Sequence, residues 1–429
     1  MLNRLDLRGV TSGVAARLPR PSDGGSAPVD EVRAILDDVR ERGDVAVREL
    51  TARFDGVELG DLRLDDDACQ AALARIPGEL REALEAAHRS ITAYHRRQVQ
   101  APVEHVNDGL AIRSFAVPVD RAGCYVPGGR ASYPSTVLMT ATVAWVAGVE
   151  QIALCLPPDR ATGMPPDSSL AAAAIAGVDE VYPVGGAQAI AALAYGTESI
   201  PAVDVIVGPG NTWVATAKRL VAAEGRVGIP SSFAGPSEVV VIADESCPVT
   251  FAAIDVMVQA EHGPDGLAWL VTWDPDVADA VSAAVAELTA RSPRRADLEA
   301  TFAQGGYCVL VDGPEQAMEV ANAIAPEHLE LLVADPEALV PLVRHAGAVF
   351  CGVYSPASLG DYIAGPSHVL PTFGSARFAG ALTVSDFTKH VHVITADAAA
   401  LGKVGGYVIT LAEAEGLPAH ADSIRMRLS

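Results

Sequence analysis

Pro326-Glu-His328 sets a carboxylate beside an imidazole, just after an apolar helical run and just before a second apolar run. Glu327 and His328 at such a junction can work as an acid–base pair, because each titrates in a useful range when partly buried. The same residues also suit a polar loop leading into a strand. Gln259-Ala-Glu-His262 places Gln259 and His262 three residues apart at the end of a helical run, on one helix face. His through a nitrogen and Gln through its carbonyl oxygen could then meet one ion. Taken locally, a plain helix stop explains this stretch better, since Gly263-Pro264 follows. Ser358-Leu-Gly-Asp361 and Gly365-Pro-Ser-His368 put a carboxylate and an imidazole in one Gly-rich loop. Glu415 and His420 lie in the tail beside Gly416 and Pro418, where a helix end with a solvated His is the default reading. Together these residues offer nitrogen and oxygen donors without thiolates, a set that suits zinc with positions left open for substrate. No HExxH, GxSxG or P-loop pattern occurs.

No GxGxxG fingerprint occurs either. Three other Gly-rich turns do: Tyr125-Val-Pro-Gly-Gly129, Val184-Gly-Gly-Ala-Gln188 and Gly208-Pro-Gly-Asn211. Each follows a predicted strand and precedes a predicted helix, where backbone N–H groups and a helix N-terminus can meet a phosphate. Glycine also simply makes turns, so one such turn says little; three in series point to a nucleotide.

The elements that must carry these residues follow from periodicity. Two helices open the chain: one capped by Asp30 with Val32, Ile35, Leu36 and Val39 inward, and one over 79–97 on which His88 and His95 read as solvated. Apolar runs at 123–126, 152–156, 180–184, 203–207 and 239–242 then alternate with helical stretches at 135–148, 168–176, 187–195 and 211–223. A second series has strands at 267–272, 307–311, 329–333 and 348–351, with helices at 249–262, 277–291, 315–324 and 336–345. The alternation predicts two lobes with parallel sheets flanked by helices, and a ligand cleft between them. A helix around 408–415 and a strand near 424–428 complete the tail, which is too short to fold alone.

The 429 residues are half apolar and 20% charged, a globular composition with room for more than one core. A net charge of -23 argues against a nucleic-acid partner or an anionic membrane surface. Six scattered cysteines form no CxxC pair and read as buried thiols in a reducing compartment. No apolar run is long enough to span a membrane, and the N-terminus lacks a signal-type core, so a cytoplasmic protein is expected.

Taken in order, the motifs above resemble the histidinol dehydrogenase family from about Val32 to His420. The segments Val184-Gly-Gly-Ala-Gln-Ala-Ile-Ala-Ala-Leu-Ala194, Ala234-Gly-Pro-Ser-Glu238, Gln259-Ala-Glu-His-Gly-Pro-Asp265 and His368-Val-Leu-Pro-Thr372 add to the likeness. The resemblance implies two incomplete Rossmann-like α/β lobes in an intertwined homodimer. Residues 1–20 would be an N-terminal extension, 21–124 and 239–382 a discontinuous first lobe, and 125–238 a second lobe with the NAD turns. Residues 383–429 would form a tail reaching the partner's active site.

By the same resemblance, Gln259, His262, Asp361 and His420 would hold one zinc ion per subunit. Ser237, Gln259, His262, His328, Asp361, His368, Glu415 and His420 would meet the substrate. Tyr125, Gln188 and Asn211 would bind NAD, two molecules being used per turnover. Glu327 and His328 would be the acid–base residues of a four-electron oxidation of L-histidinol to L-histidine through L-histidinaldehyde, at the end of histidine biosynthesis. The alternatives are a related zinc dehydrogenase of another small polar alcohol and, further off, a zinc hydrolase, which would need no dinucleotide. A covalent route through Cys124 ranks below the water route, because nothing near it in sequence activates a thiolate.

Overall fold

The computed structural model describes residues 1–19, 28–129, 131–178, 180–230, 237–263 and 266–429. Its strands are β1 (Asn3–Asp6), β2 (Val103–Asn107), β3 (Leu110–Pro118), β4 (Arg121–Tyr125), β5 (Gln151–Cys155), β6 (Glu180–Tyr182), β7 (Val205–Val207), β8 (Glu238–Ala243), β9 (Leu267–Thr272), β10 (Gly306–Leu310), β11 (His328–Leu332), β12 (Ala348–Cys351) and β13 (Thr388–Thr395). They form a parallel sheet ordered β6-β5-β4-β7, a parallel sheet ordered β1-β10-β9-β8-β11-β12, and an antiparallel sheet ordered β13-β3-β2. Every residue of β8, β9 and β11 is buried, as strands covered on both faces require.

The alternation read from sequence is present in both series. Its expected grouping is not. Val32, Ile35, Leu36 and Val39 share a core with Tyr182 and Ile190, and Leu84 and Ile91 share another with Leu138 and Val143. The helices of 29–95 therefore cover the four-stranded sheet, not the lobe built from 239–382. β4 belongs to the four-stranded sheet as well, and β1 is an edge strand of the six-stranded sheet, not a separate extension. The grouping that the resemblance implied gives way to core packing, which puts the helices of 29–95 on the four-stranded sheet, and to the pairing of β1 with β10 across some three hundred residues.

Four local expectations also change. The first long helix, Val29–Arg42, has Pro28 at its N-cap, and Asp30 sits in the first turn facing the helix dipole. His95 is fully buried, its Nδ1 2.7 Å from Gln98 Oε1. Only a short 3-10 turn, Val340–Leu342, forms within 336–345. The chain end is a helix, Pro418–Leu428, because Ile424 and Leu428, four residues apart, both close on Gly405 of the helix Ala398–Ala414. Among the described residues no helix is long and apolar enough to cross a membrane. None of the six cysteines forms a disulfide, and five of them are buried.

Candidate functional site

Ser237, Glu238, Glu327 and His328 meet where β8 and β11 begin, at the amino edge of the six-stranded sheet. Ala325, in left-handed backbone at φ 56, ends the helix Pro314–Ile324 and turns the chain into β11. His328 is 2% exposed and stacks on Phe350 of β12. Its Nδ1 lies 3.1 Å from the Glu238 carbonyl oxygen, which can only accept, so Nδ1 carries the hydrogen. Nε2 lies 3.4 Å from Asp361 Oδ1 without an aligned hydrogen bond, and so is the nitrogen open to a ligand. Glu327 is also buried; its Oε2 accepts from Glu238 N–H at 3.0 Å and stands 3.5 Å from His328 Nδ1. Burial alone would lower the imidazole pKa. The Glu327 and Asp361 carboxylates outweigh it and hold His328 well above its usual range.

Gln259 and Asp361 come together from two different helices. The helix Val249–Val258 runs back from β8 to the amino edge and ends at Gln259. Asp361, expected in a loop, lies on the helix Ala357–Tyr362. The two side chains meet at 3.2 Å, amide to carboxylate. An amide flip would instead turn the Gln259 oxygen toward an ion beside Asp361. His368 adjoins them, with Nδ1 2.8 Å from the Asp361 carbonyl oxygen and Nε2 3.1 Å from Thr136 Oγ1. Burial pulls its pKa below the usual range against the opposing charge of Asp361. The His262 side chain lies outside the described residues, as do Ala234, Gly235, Pro236, Pro264 and Asp265 of the two motifs around it. Glu415 and His420 are exposed, on or between tail helices that pack chiefly on each other. Within this one chain, and among the described residues, no three His, Cys, Asp or Glu side chains converge as a metal site.

The three Gly-rich turns gather at the carboxyl edge of the four-stranded sheet. β5 and β6 lie on one side of β4 and β7 on the other, so the order reverses beside β4, where open α/β sheets bind ligands. Tyr125, ending β4, accepts a hydrogen bond at its hydroxyl from Gly186 N–H at 3.1 Å, at the start of the helix Gly186–Tyr195 that carries Gln188. Gln188 is buried with an unpartnered Nε2. Asn211 caps the helix Thr212–Ala223 through Oδ1, which accepts from Trp213 and Val214 N–H. Gly208, at φ +107, is required there: a Cβ would strike the Tyr125 carbonyl. Beside these turns opens a cavity of 550 Å³ lined by Phe54, Pro127, Gly128, Gly129, Pro157 and Asp159. Cys124 is fully buried and its thiol is pushed up to about 12 by burial, so the covalent alternative loses its nucleophile.

Glu238, Glu330 and Lys218 are among the buried ionisable groups to which the sequence assigned no role. Burial and the neighbouring Glu327 push Glu238 up to about 8; its Oε1 accepts from Phe373 N–H at 3.0 Å and its Oε2 has no partner. Burial and Asp255 push Glu330 up to about 9, and its Oε1 accepts from Ala357 N–H at 3.0 Å, where the Asp361 helix starts. Lys218, lowered to about 7 by burial, donates to the Gly208 carbonyl. Each had a signal: a charge within an apolar strand, or on the buried stripe Val214, Lys218, Val221 of a helix.

The family profile described as histidinol dehydrogenase matches residues 18–428. A histidinol dehydrogenase of Thermosynechococcus vestitus is 51% identical over 400 residues, covering 92% of either chain. One from Pseudomonas putida is 48% identical over 398 residues, covering 92% of this chain and 89% of that one. The crystal structure of histidinol dehydrogenase from Elizabethkingia anophelis superposes with a TM-score of 0.94 at 32% identity, covering 100% of this chain and 98% of that one. On this evidence the chain belongs to the histidinol dehydrogenase family.

Proposed function

We propose that the protein oxidises L-histidinol to L-histidine with NAD, through L-histidinaldehyde. The observation that carries the proposal is His328: a buried imidazole fixed through Nδ1 on the Glu238 carbonyl, with Nε2 directed at the place where Gln259 and Asp361 meet. A base held in one tautomer can take a proton from the same place twice.

The donor set fits zinc: Asp361 and, after an amide flip, Gln259 would bring oxygens to one point, and the family likeness adds the imidazoles of His262 and His420. When bound, zinc would orient the substrate's amino and imidazole nitrogens. His420, exposed on the tail of its own chain, would then serve the site of a second copy in a homodimer. A cation at Asp361 also offsets charge that keeps His328 protonated, bringing it toward the range of a working base. NAD, a substrate, would be held at the carboxyl edge of the four-stranded sheet by Tyr125, Gln188 and Asn211.

His328 accepts the hydroxyl proton while hydride leaves the carbinol carbon for NAD, giving the aldehyde. A second NAD replaces the NADH, and Glu327 takes a proton from a water that adds to that carbon while His328 returns its proton to the carbonyl oxygen, giving the diol. His328 accepts a proton from the diol while a second hydride leaves for the second NAD, giving the carboxylic acid, which ionises to the carboxylate. Ser237, His368 and the partner's Glu415 would hold the substrate.

The test is NADH formation from L-histidinol by zinc-loaded and by chelator-stripped protein. About two NADH per histidinol, lost on stripping and restored by zinc, is the expected result. No NADH from folded, zinc-loaded protein would move the assignment to another polar alcohol, or to hydrolysis if NAD also fails to bind.

A further inference from the structure

His368 is held from both sides of the seam between the lobes. Its Nδ1 carries the hydrogen, since the Asp361 carbonyl 2.8 Å away can only accept. Nε2 is therefore the nitrogen left to face a ligand, and Thr136 Oγ1 stands 3.1 Å from it. Thr136 is 2% exposed and lies in the short helix Pro134–Val137, which follows the Gly-rich turn ending at Gly129. Its backbone is pinned in turn, because Thr140 Oγ1 donates to the Thr136 carbonyl at 2.7 Å.

A second contact runs beside the first: Ser367 Oγ donates to the Met139 carbonyl at 2.9 Å. Met139 lies in the π-helical stretch Leu138–Thr142, whose wider turn disturbs the usual ladder and so frees backbone groups for such contacts. Val369, next in the chain, joins Val137 and Leu138 in one core. The seam is thus fixed at three successive residues of the 367–369 segment, and among the described residues it is Thr136 whose side chain is hydrogen-bonded to the His368 ring from the cofactor lobe.

We infer that Thr136 is a positioning residue: from the cofactor lobe, its hydroxyl sets the orientation of the His368 ring toward the substrate in the other lobe. The inference rests on His368 being a substrate contact, as proposed above. Thr136 is not asked to touch the reacting atoms. Its hydroxyl donates to the one lone pair on Nε2 until a ligand takes its place, so the ring is already turned to the angle at which Nε2 meets that ligand.

Thr136→Val removes the hydroxyl and keeps the branched shape; Thr136→Ser keeps the hydroxyl. The expected result for Val is a KM for L-histidinol raised about tenfold, with kcat lowered less than about threefold and the KM for NAD within about twofold. Calorimetric binding of L-histidinol without NAD should weaken by the same factor of about ten, and Ser should return both to within about threefold of the parent. A Val variant with unchanged histidinol affinity overturns the inference. So does one that loses NAD and histidinol binding alike together with its melting temperature, which would make Thr136 a structural residue only. So does failure of Ser to restore binding. A parent protein that neither binds nor oxidises L-histidinol fails the functional proposal itself, before any variant is made, and takes this inference with it.

Discussion

Glu327 and Glu238 present two carboxyls to one patch of buried backbone, and the surroundings separate their roles. Glu327 accepts the Glu238 N–H and stands against His328, whereas Glu238 keeps an oxygen with no partner and is pushed up to about 8. The neutral form of Glu238, favoured by burial and by the neighbouring Glu327 carboxyl, spares this buried patch a pair of like charges. Replacing Glu327 by Gln should slow oxidation of the aldehyde about a hundredfold while leaving alcohol oxidation nearer the parent rate; His328→Asn should slow both. Separate assays with histidinol and histidinaldehyde read this directly, and equal damage from Glu327→Gln would exclude its role with water. Glu238 gives a second prediction, in stability. An unfolded carboxyl ionises near 4.5, while the folded one keeps its proton up to about 8. Between those values the folded state binds more protons, so stability falls as pH rises. Gln at 238 has no such slope. Glu238→Gln should therefore gain melting temperature relative to the parent as the pH rises from 4.5 to about 8; a constant difference would show that Glu238 ionises normally.

At the scale of elements, the helix Ala357–Tyr362 shows what the sequence hides. Six residues containing Gly360 after Pro356 read as a loop, because so short a helix has almost no periodicity and little stability of its own. Tertiary contacts form it: Glu330 Oε1 accepts its first N–H, and Glu330 shares its burial with Asp255 from the helix that ends at Gln259. That carboxyl pair stands behind both Gln259 and Asp361. Glu330→Gln keeps an acceptor for Ala357 N–H and should retain zinc. Glu330→Leu leaves that donor and Asp255 unpaired; it should cost about 1–3 kcal/mol of stability and loosen the metal. Denaturant midpoints and zinc retained against a chelator measure the two effects, and equal behaviour of the variants would remove Glu330 from any part in holding the site. By contrast, β8, β9 and β11 were legible because strands buried on both faces read as largely apolar runs, with Glu330 the charge set inside β11. β1 and β13 were not, because their partners lie far along the chain and no local pattern names a distant partner; the β2–β3 hairpin did have a local signal, the turn Asp108-Gly109. The Gly-rich turns were legible for a local reason: a position such as Gly208 admits no side chain.

The whole molecule leaves its tail unfinished. Tyr407, Leu411 and Met426 are 73%, 65% and 76% exposed on two helices that pack chiefly on each other, and Val103, Val106 and Ile394 are exposed on the antiparallel sheet nearby. Apolar surface of this extent on a chain otherwise so acidic calls for a covering partner, and a second copy is the one whose His420 and Glu415 would complete the site. A mixing experiment decides between a tail that serves its own subunit and one that serves its neighbour. His420→Ala and His328→Asn should each be inactive as homodimers. In a mixed dimer with exchanged tails, the subunit carrying His420→Ala keeps its own His328 and receives the intact His420 of its partner, so one site works and the other lacks both residues. Random reassortment makes about half the dimers mixed, so about a quarter of parental activity should return. If each tail serves its own subunit, both sites of a mixed dimer lack one residue and no activity returns. Differently tagged subunits, purified through both tags, make the distinction independent of how completely the chains exchange.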